Sequence, residues 1–172
     1  MFLRPRHRRR EGVAAVELAL VAPVLVVLLL GLWEVGRMIE LQQILSNAAR
    51  EGARLAAQGQ TINSTGAATQ IQVNTGSPNV KATVVNYLQR AGLNVSAGEV
   101  TVDFAFLTGD TSLTEPCQGT KGQQFSVTVT IPTTNLKWTS SGAFTPATMS
   151  AAVVWTSLVD DPFTIDTTIP SW

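Results

Sequence analysis

The chain is short of the residues that most often carry chemistry: one histidine, one cysteine and one tyrosine among 172. The histidine, His7, stands among arginines at the N-terminus, so the rest of the chain has none for a catalytic triad or a mixed His–Cys metal site. A single thiol, Cys117, excludes an intrachain disulfide, and any folded domain must rest on its apolar core. Charge is sparse as well, at 14% of residues, and sums formally to zero. That zero conceals an asymmetry. Removing residues 1–12 takes away five arginines and Glu11, leaving 7 basic and 11 acidic side chains, a net of −4. A nucleic-acid partner is therefore not expected, because the basic cluster is confined to one end. No enzymatic activity, metal or cofactor is expected either. Cys117 has no candidate base near it in sequence, and Asp160, Asp161 and Asp166 lack the spacing of an EF-hand loop. Asn63-Ser64-Thr65 and Asn94-Val95-Ser96 fit the glycosylation acceptor pattern, which is frequent by chance.

What the chain has in abundance is one apolar run. Residues 12–33, GVAAVELALVAPVLVVLLLGLW, contain a single charge, Glu17, and one proline, Pro23. At about 1.5 Å per residue such a helix spans roughly 33 Å, enough for a hydrocarbon core of about 30 Å. The arginine-rich stretch just before it places the N-terminus in the cytoplasm and the remainder on the far side of the membrane. A cleavable secretory signal has a shorter apolar core and a small-residue cut site after it; here the run continues directly into helix-forming sequence, which favours a retained anchor. Glu17 is the anomaly. A carboxylate inside a span costs about 2.5–3.5 kcal/mol at the helix centre, less near the interface. It lies five residues after Gly12. A cut after Gly12 would make Val13 a new ammonium terminus, against which a neighbouring copy's Glu17 could be neutralised.

With Arg8, Arg9 and Arg10 ahead of Gly12, this spacing resembles the type IV prepilin processing signal. More closely, GVAAVELALVAP is similar to the opening of TadE-like proteins, the minor pseudopilins of tight-adherence (Flp-type) pilus systems. The likeness continues through Trp33-Glu34-Val35-Gly36-Arg37 and through Asn47-Ala48-Ala49-Arg50-Glu51-Gly52-Ala53-Arg54, and it covers residues 8–57. Leu18 departs from it, since an aromatic residue is common after the glutamate. The resemblance implies processing between Gly12 and Val13 by a membrane-embedded prepilin peptidase. It further implies registration of subunits by Glu17, and recognition of the leader and membrane topology through Arg8, Arg9 and Arg10. Other pilin or pseudopilin subunits, the pilus assembly machinery and the membrane are the implied partners.

The helix is not expected to stop at the membrane. It should begin near Glu11, after a leader too short and too charged to fold. From Glu34 to Gln58 there is no proline, and Met38, Leu41, Leu45, Ala48, Ala49, Leu55 and Ala56 recur near a helical period. Glu51 and Arg54 are spaced to pair, and Gly59 supplies a stop. Residues 60–76 read as a linker, with a short helical piece around 67–73. In residues 77–94, Ser77 reads as N-cap, Pro78 as first helical residue and Gly92 as stop, with Val80, Val84, Leu88 and Ala91 on one face. The period then changes to two. Val100, Val102, Phe104 and Phe106 alternate with polar or small residues, as do Phe125, Val127, Val129 and Ile131, and then Met149, Ala151, Val153 and Trp155. Polar loops separate these three strands; the second contains Trp138 and Phe144, and a proline-containing tail ends at Trp172.

The expected fold is α+β and pilin-like: a long N-terminal transmembrane helix extending into a small domain with a second helix and a three-stranded antiparallel sheet. The expected divisions are a basic cytoplasmic leader (1–12), the transmembrane helix (13–33), its extracytoplasmic continuation (34–59) and the α+β domain (60–172). The expected role is that of a membrane-anchored subunit for assembly of a tight-adherence pilus, single-pass in the bacterial inner membrane. The alternative is an uncleaved, signal-anchored extracytoplasmic binding or adhesion module.

Overall fold

The computed structural model describes residues 8–63, 66–133 and 146–159, and they form an α+β fold. Ser64, Thr65, Trp138, Phe144, Asp160, Asp161, Asp166 and Trp172 lie outside the described residues. Two compact units divide the chain, Met1–Glu40 and Leu41–Trp172.

The first helix, α1, runs from Arg8 to Gln58 with Pro23 inside it. It starts three residues earlier than the composition suggests. Arg8, Arg9 and Arg10 are good helix formers, so the end of the leader is helical rather than unfolded. In the first unit, the apolar side chains of α1 are exposed among the described residues: Leu20 is 78% exposed, Leu29 65% and Trp33 65%.

The second unit is built on the remainder of α1. Leu41, Leu45, Ala48, Ala49, Ala53, Ala56 and Ala57 are buried along one face, while Asn47, Arg50 and Arg54 are exposed. The compact unit thus takes in the last part of the helix, although composition changes only after Gly59. Arg54 grips Glu51 with two hydrogen bonds, Nη2 to Oε1 at 2.7 Å and Nε to Oε2 at 3.0 Å. Gly59, at φ 63°, ends the helix, and its N–H donates to the Ala56 carbonyl.

A hairpin follows where a linker with a helical turn was expected. Strands β1 (Gln60–Ile62) and β2 (Ala68–Gln70) pair antiparallel, Thr61 opposite Thr69. Asn63 Oδ1 accepts from the Ala67 N–H at 2.9 Å, and Gly66 supplies a positive φ in the turn. Extended backbone wins over helix because it sends Ile71 and Val73 into the core. The Ile71 N–H donates to the Gly59 carbonyl and the Val73 N–H to Glu115 Oε2.

Helix α2 spans Val80–Arg90. Its cap is Asn79, not Ser77, and Pro78 precedes the helix instead of opening it. Asn79 Oδ1 accepts from the Ala82 N–H at 2.7 Å, and its Nδ2 donates to the Gly76 carbonyl, so one side chain satisfies a free helical donor and fastens the incoming loop. At the other end Gly92, at φ 89°, donates to the Gln89 carbonyl and Leu93 to Leu88, a Schellman closure. Val80, Val84, Val85 and Leu88 are buried. Ala91 is the exposed C-cap, outside the expected stripe, because the reversal brings Leu93 into the core in its place.

Strands β3 (Thr101–Phe106), β4 (Gln124–Pro132) and β5 (Thr148–Thr156) form an antiparallel sheet in the order β3-β4-β5. Phe106 lies opposite Phe125, and Phe125 opposite Trp155. The expected alternation holds on β3 and β4, with Val102, Phe106, Phe125, Val127, Val129 and Ile131 buried; on β5 Ala151 is buried, Met149 and Val153 are half-buried and Trp155, at the strand's end, is exposed. Phe104, Phe106 and Phe125 form an aromatic cluster, the first two edge-to-face at 4.9 Å between centroids. A Cβ built on Gly52 would meet Val84 at 2.8 Å, Val80 at 3.3 Å and Val127 at 3.9 Å, so α1, α2 and β4 converge on this glycine.

Candidate functional site

The residues expected for processing, registration and leader recognition all fall on α1, which fixes their mutual geometry. Gly12, Val13 and Glu17 are exposed. Val13 and Glu17 are one turn apart, separated by about 6 Å along the axis and on neighbouring lines of the same face. Helical side chains lean toward the N-terminus, so the Glu17 carboxylate projects toward the level of Val13. Gly12, five residues before Glu17, lies roughly 140° away around the helix axis. Arg8, Arg9 and Arg10 occupy its opening turn. The helix therefore brings Val13 and Glu17 together and turns Gly12 to a different side.

Between Leu18 and Trp33 every side chain is apolar and nearly all are exposed, from Leu18 at 64% to Trp33 at 65%. Pro23 has no N–H, so it leaves the Ala19 carbonyl without its helical donor. Beyond Trp33, Arg37 forms an ion pair with Glu40 at 2.5 Å. Gly12–Gln58 contains a helix long and apolar enough to cross a bilayer, a candidate membrane anchor.

Cys117 lies in a short 3₁₀ turn, Pro116–Gln118, and is half-buried. Glu115 caps that turn, and the Glu115 N–H donates to Gln118 Oε1 at 3.1 Å. Burial, seconded by the negative charge of Glu115, pushes the thiol's pKa up, which keeps it protonated near neutral pH. No group of three or more His, Cys, Asp or Glu side chains able to hold a metal occurs among the described residues. The Asn94 acceptor pattern is tied into structure: Val95 is buried, and both the N–H and the hydroxyl of Ser96 donate to Glu99. The other acceptor pattern extends to Ser64 and Thr65, outside the described residues.

Sequence reasoning did not find Gly52. Read along the chain it is one more glycine in a helix, and only the arrival of Val80, Val84 and Val127 shows what it does. The signal available was Ala48 and Ala49 one turn before it and Ala56 one turn after it, the small-residue pattern of a close contact.

No curated protein and no solved structure matches the chain. A family model does, the one described as TadE-like protein, over residues 12–54. Its span begins at the glycine before Val13, takes in Glu17 and the apolar run, and ends at Arg54, within the part of α1 that packs into the second unit. Over residues 12–54, from the candidate anchor into the domain core, the chain is similar to the TadE-like family.

Proposed function

We propose that the protein is a membrane-anchored, pilin-like subunit serving assembly of a tight-adherence pilus, matured by a prepilin peptidase that cuts after Gly12. The observation that carries this reading is the TadE-like match on a helix whose apolar side chains are exposed among the described residues. Unburied apolar surface on this scale calls for lipid or for other helices. In the reading, the anchor holds the subunit in the inner membrane, with Arg8, Arg9 and Arg10 in the cytoplasm and the α+β domain outside. Cutting releases the basic leader and leaves Val13 with an ammonium group. Glu17, one turn further along, would then pair with the new Val13 amine of a neighbouring copy. Pairing offsets the cost of a carboxylate in the span and sets the axial position of one helix against the next. The domain acts by contact and not by catalysis in this reading, and Cys117, half-buried with its thiol pKa pushed up, has no nucleophilic role.

N-terminal sequencing and intact mass of the protein made with and without its cognate peptidase test the reading. Val13 should become the first residue only when the peptidase is present. An unchanged N-terminus in both preparations would sink it. Glu17→Ala should insert into the membrane normally and still reduce pilus number; normal piliation in that variant would remove the registering role.

A further inference from the structure

We propose that the open edge of β3 is a docking site for the chain's own C-terminal segment, residues 163–169, which adds there as a fourth strand. A three-stranded sheet has two edges, and this one treats them differently. Just past β5, Ser157 exchanges both backbone bonds with Gly122 and Gln123, so by alternation the even-numbered residues of β5 turn their N–H and C=O away from β4. Near each end, α1 takes up one of these outward groups. Gln42 Nε2 donates to the Ser150 carbonyl at 3.2 Å, and the Leu158 N–H donates to the Ala57 carbonyl at 2.8 Å. A helix thus guards the β5 edge. The β3 edge is different. The Leu107 N–H donates to the Gln124 carbonyl, so alternation turns the N–H and C=O of Val102, Phe104 and Phe106 outward, and no described residue bonds to them. On the core face of the same edge, Phe104 is only half-buried. Free backbone groups beside a half-covered aromatic ring form a surface for an added strand.

Three features point to the C-terminal segment as the occupant. The first is its sequence. Residues 163–169, FTIDTTI, lie outside the described residues and between Pro162 and Pro170. Five of the seven are β-branched, and Phe163, Ile165 and Ile169 share one parity while Thr164, Asp166 and Thr168 share the other. The second is where the chain leaves the described structure. A Cβ on Gly119 would meet Phe106 at 2.7 Å and Ser157 Oγ at 3.3 Å, so β5 runs out beside the last residue of β3. A chain turning back from there runs antiparallel to β3. Six residues carry it from Val159 to Ile165, up to about 20 Å, against roughly 14 Å for the three strand spacings from β5 to a strand outside β3. The third is topology: a fourth strand beside the first of three consecutive antiparallel strands completes a Greek key. Side-chain chemistry then selects the register. With Ile165 opposite Phe106, Thr167 opposite Phe104 and Ile169 opposite Val102, the apolar faces coincide. The same register sets Asp166 against Ala105 and Thr168 against Asp103, so the two carboxylates are not opposed. Asp166 and Pro170 blunt the new edge.

Hydrogen exchange and disulfide trapping on the full-length, detergent-solubilised chain test the docking. The amides of Val102, Phe104 and Phe106 should be protected, and Ile165→Asp should speed their exchange about tenfold or more. The amides of Asp103 and Ala105, which face β4, should change little in the same variant. In a Cys117→Ser background, Ala105→Cys combined with Asp166→Cys should close an intrachain disulfide under mild oxidation, because the two positions form a closely spaced, non-hydrogen-bonded pair. Ala152→Cys with Asp166→Cys, two strands further away, should not. Val102, Phe104 and Phe106 amides that exchange freely in the parent chain, or that are indifferent to Ile165→Asp, would overturn the proposal. A disulfide that joins two chains would overturn it too, by giving the edge to a neighbouring copy.

Discussion

One helix lives in two environments. Between Leu18 and Trp33, α1 presents aliphatic side chains all round, and Leu20, Leu29 and Trp33 are well exposed. From Leu41 on, it sorts them: Leu45, Ala48, Ala49, Ala53 and Ala57 are fully buried, while Asn47, Arg50 and Arg54 face outward. The side chains change in size as well as in direction. Where α1 is exposed among the described residues, leucine and valine dominate; where a sheet and a second helix press on it, the contact face is mostly alanine and glycine. A bulky all-round surface suits a solvent of hydrocarbon, whereas a narrow face of small residues lets backbones approach closely.

The strongest way to break this comparison is to truncate one large side chain in each region. Phe125→Ala, deep in the sheet, should cost the second unit about 3–5 kcal/mol of unfolding free energy, whereas Leu29→Ala should leave that transition where it was. Denaturant titration of the detergent-solubilised chain measures both. A large loss from Leu29→Ala would mean that the first unit contributes to the stability of the second.

A smaller effect separates the glycines. Gly52→Leu should lose about 1–3 kcal/mol or more, since its first carbon alone would come within 2.8 Å of Val84, a β-branched side chain with little freedom to turn away. Gly31→Ala meets nothing within 4 Å and should favour the helix by up to about 1 kcal/mol. Paired unfolding and helicity measurements on the two variants sharpen the distinction between a glycine required by packing and one merely tolerated.

The smallest effect is electrostatic. The hydrogen bond from Arg54 holds the Glu51 carboxyl below its ordinary range. A carboxylate depressed in the folded state stabilises the fold above its unfolded pKa of about 4.3, and that contribution disappears as pH falls through the lower folded value. Glu51→Gln should therefore lower stability slightly at neutral pH and have no effect at strongly acidic pH. The pair is exposed, so the difference should be the least of the three and should shrink in salt. A difference that grows on acidification would contradict the assignment.

Much of this could be read from the chain. The apolar run, the later helical stripe and the three alternating strands were legible because each is a periodic pattern long enough to stand apart from its surroundings. The spacing from Gly12 to Glu17 was legible because it is local, and α1 preserves it. The β1–β2 hairpin was not: its strands are three residues each and polar, and their conformation follows from the need to bury Ile71 and Val73. Asn79 displaced Ser77 as cap because its amide both accepts from α2 and donates to the preceding loop, a choice between neighbouring polar residues that only geometry makes. Helicity back to Arg8 was obscured by the charge of the leader, which argues for solvent and not against helix.

By itself, the sequence determined the long periodic elements: two helices, three alternating strands with an apolar face, and one span of high hydropathy. These depend on the order of residues over a few turns or strands. Tertiary structure decided the rest, because contacts between distant segments have no signature along the chain. Only the fold makes Gly52 a contact point, sets the order β3-β4-β5 and joins the Leu158 N–H to the Ala57 carbonyl at the end of α1.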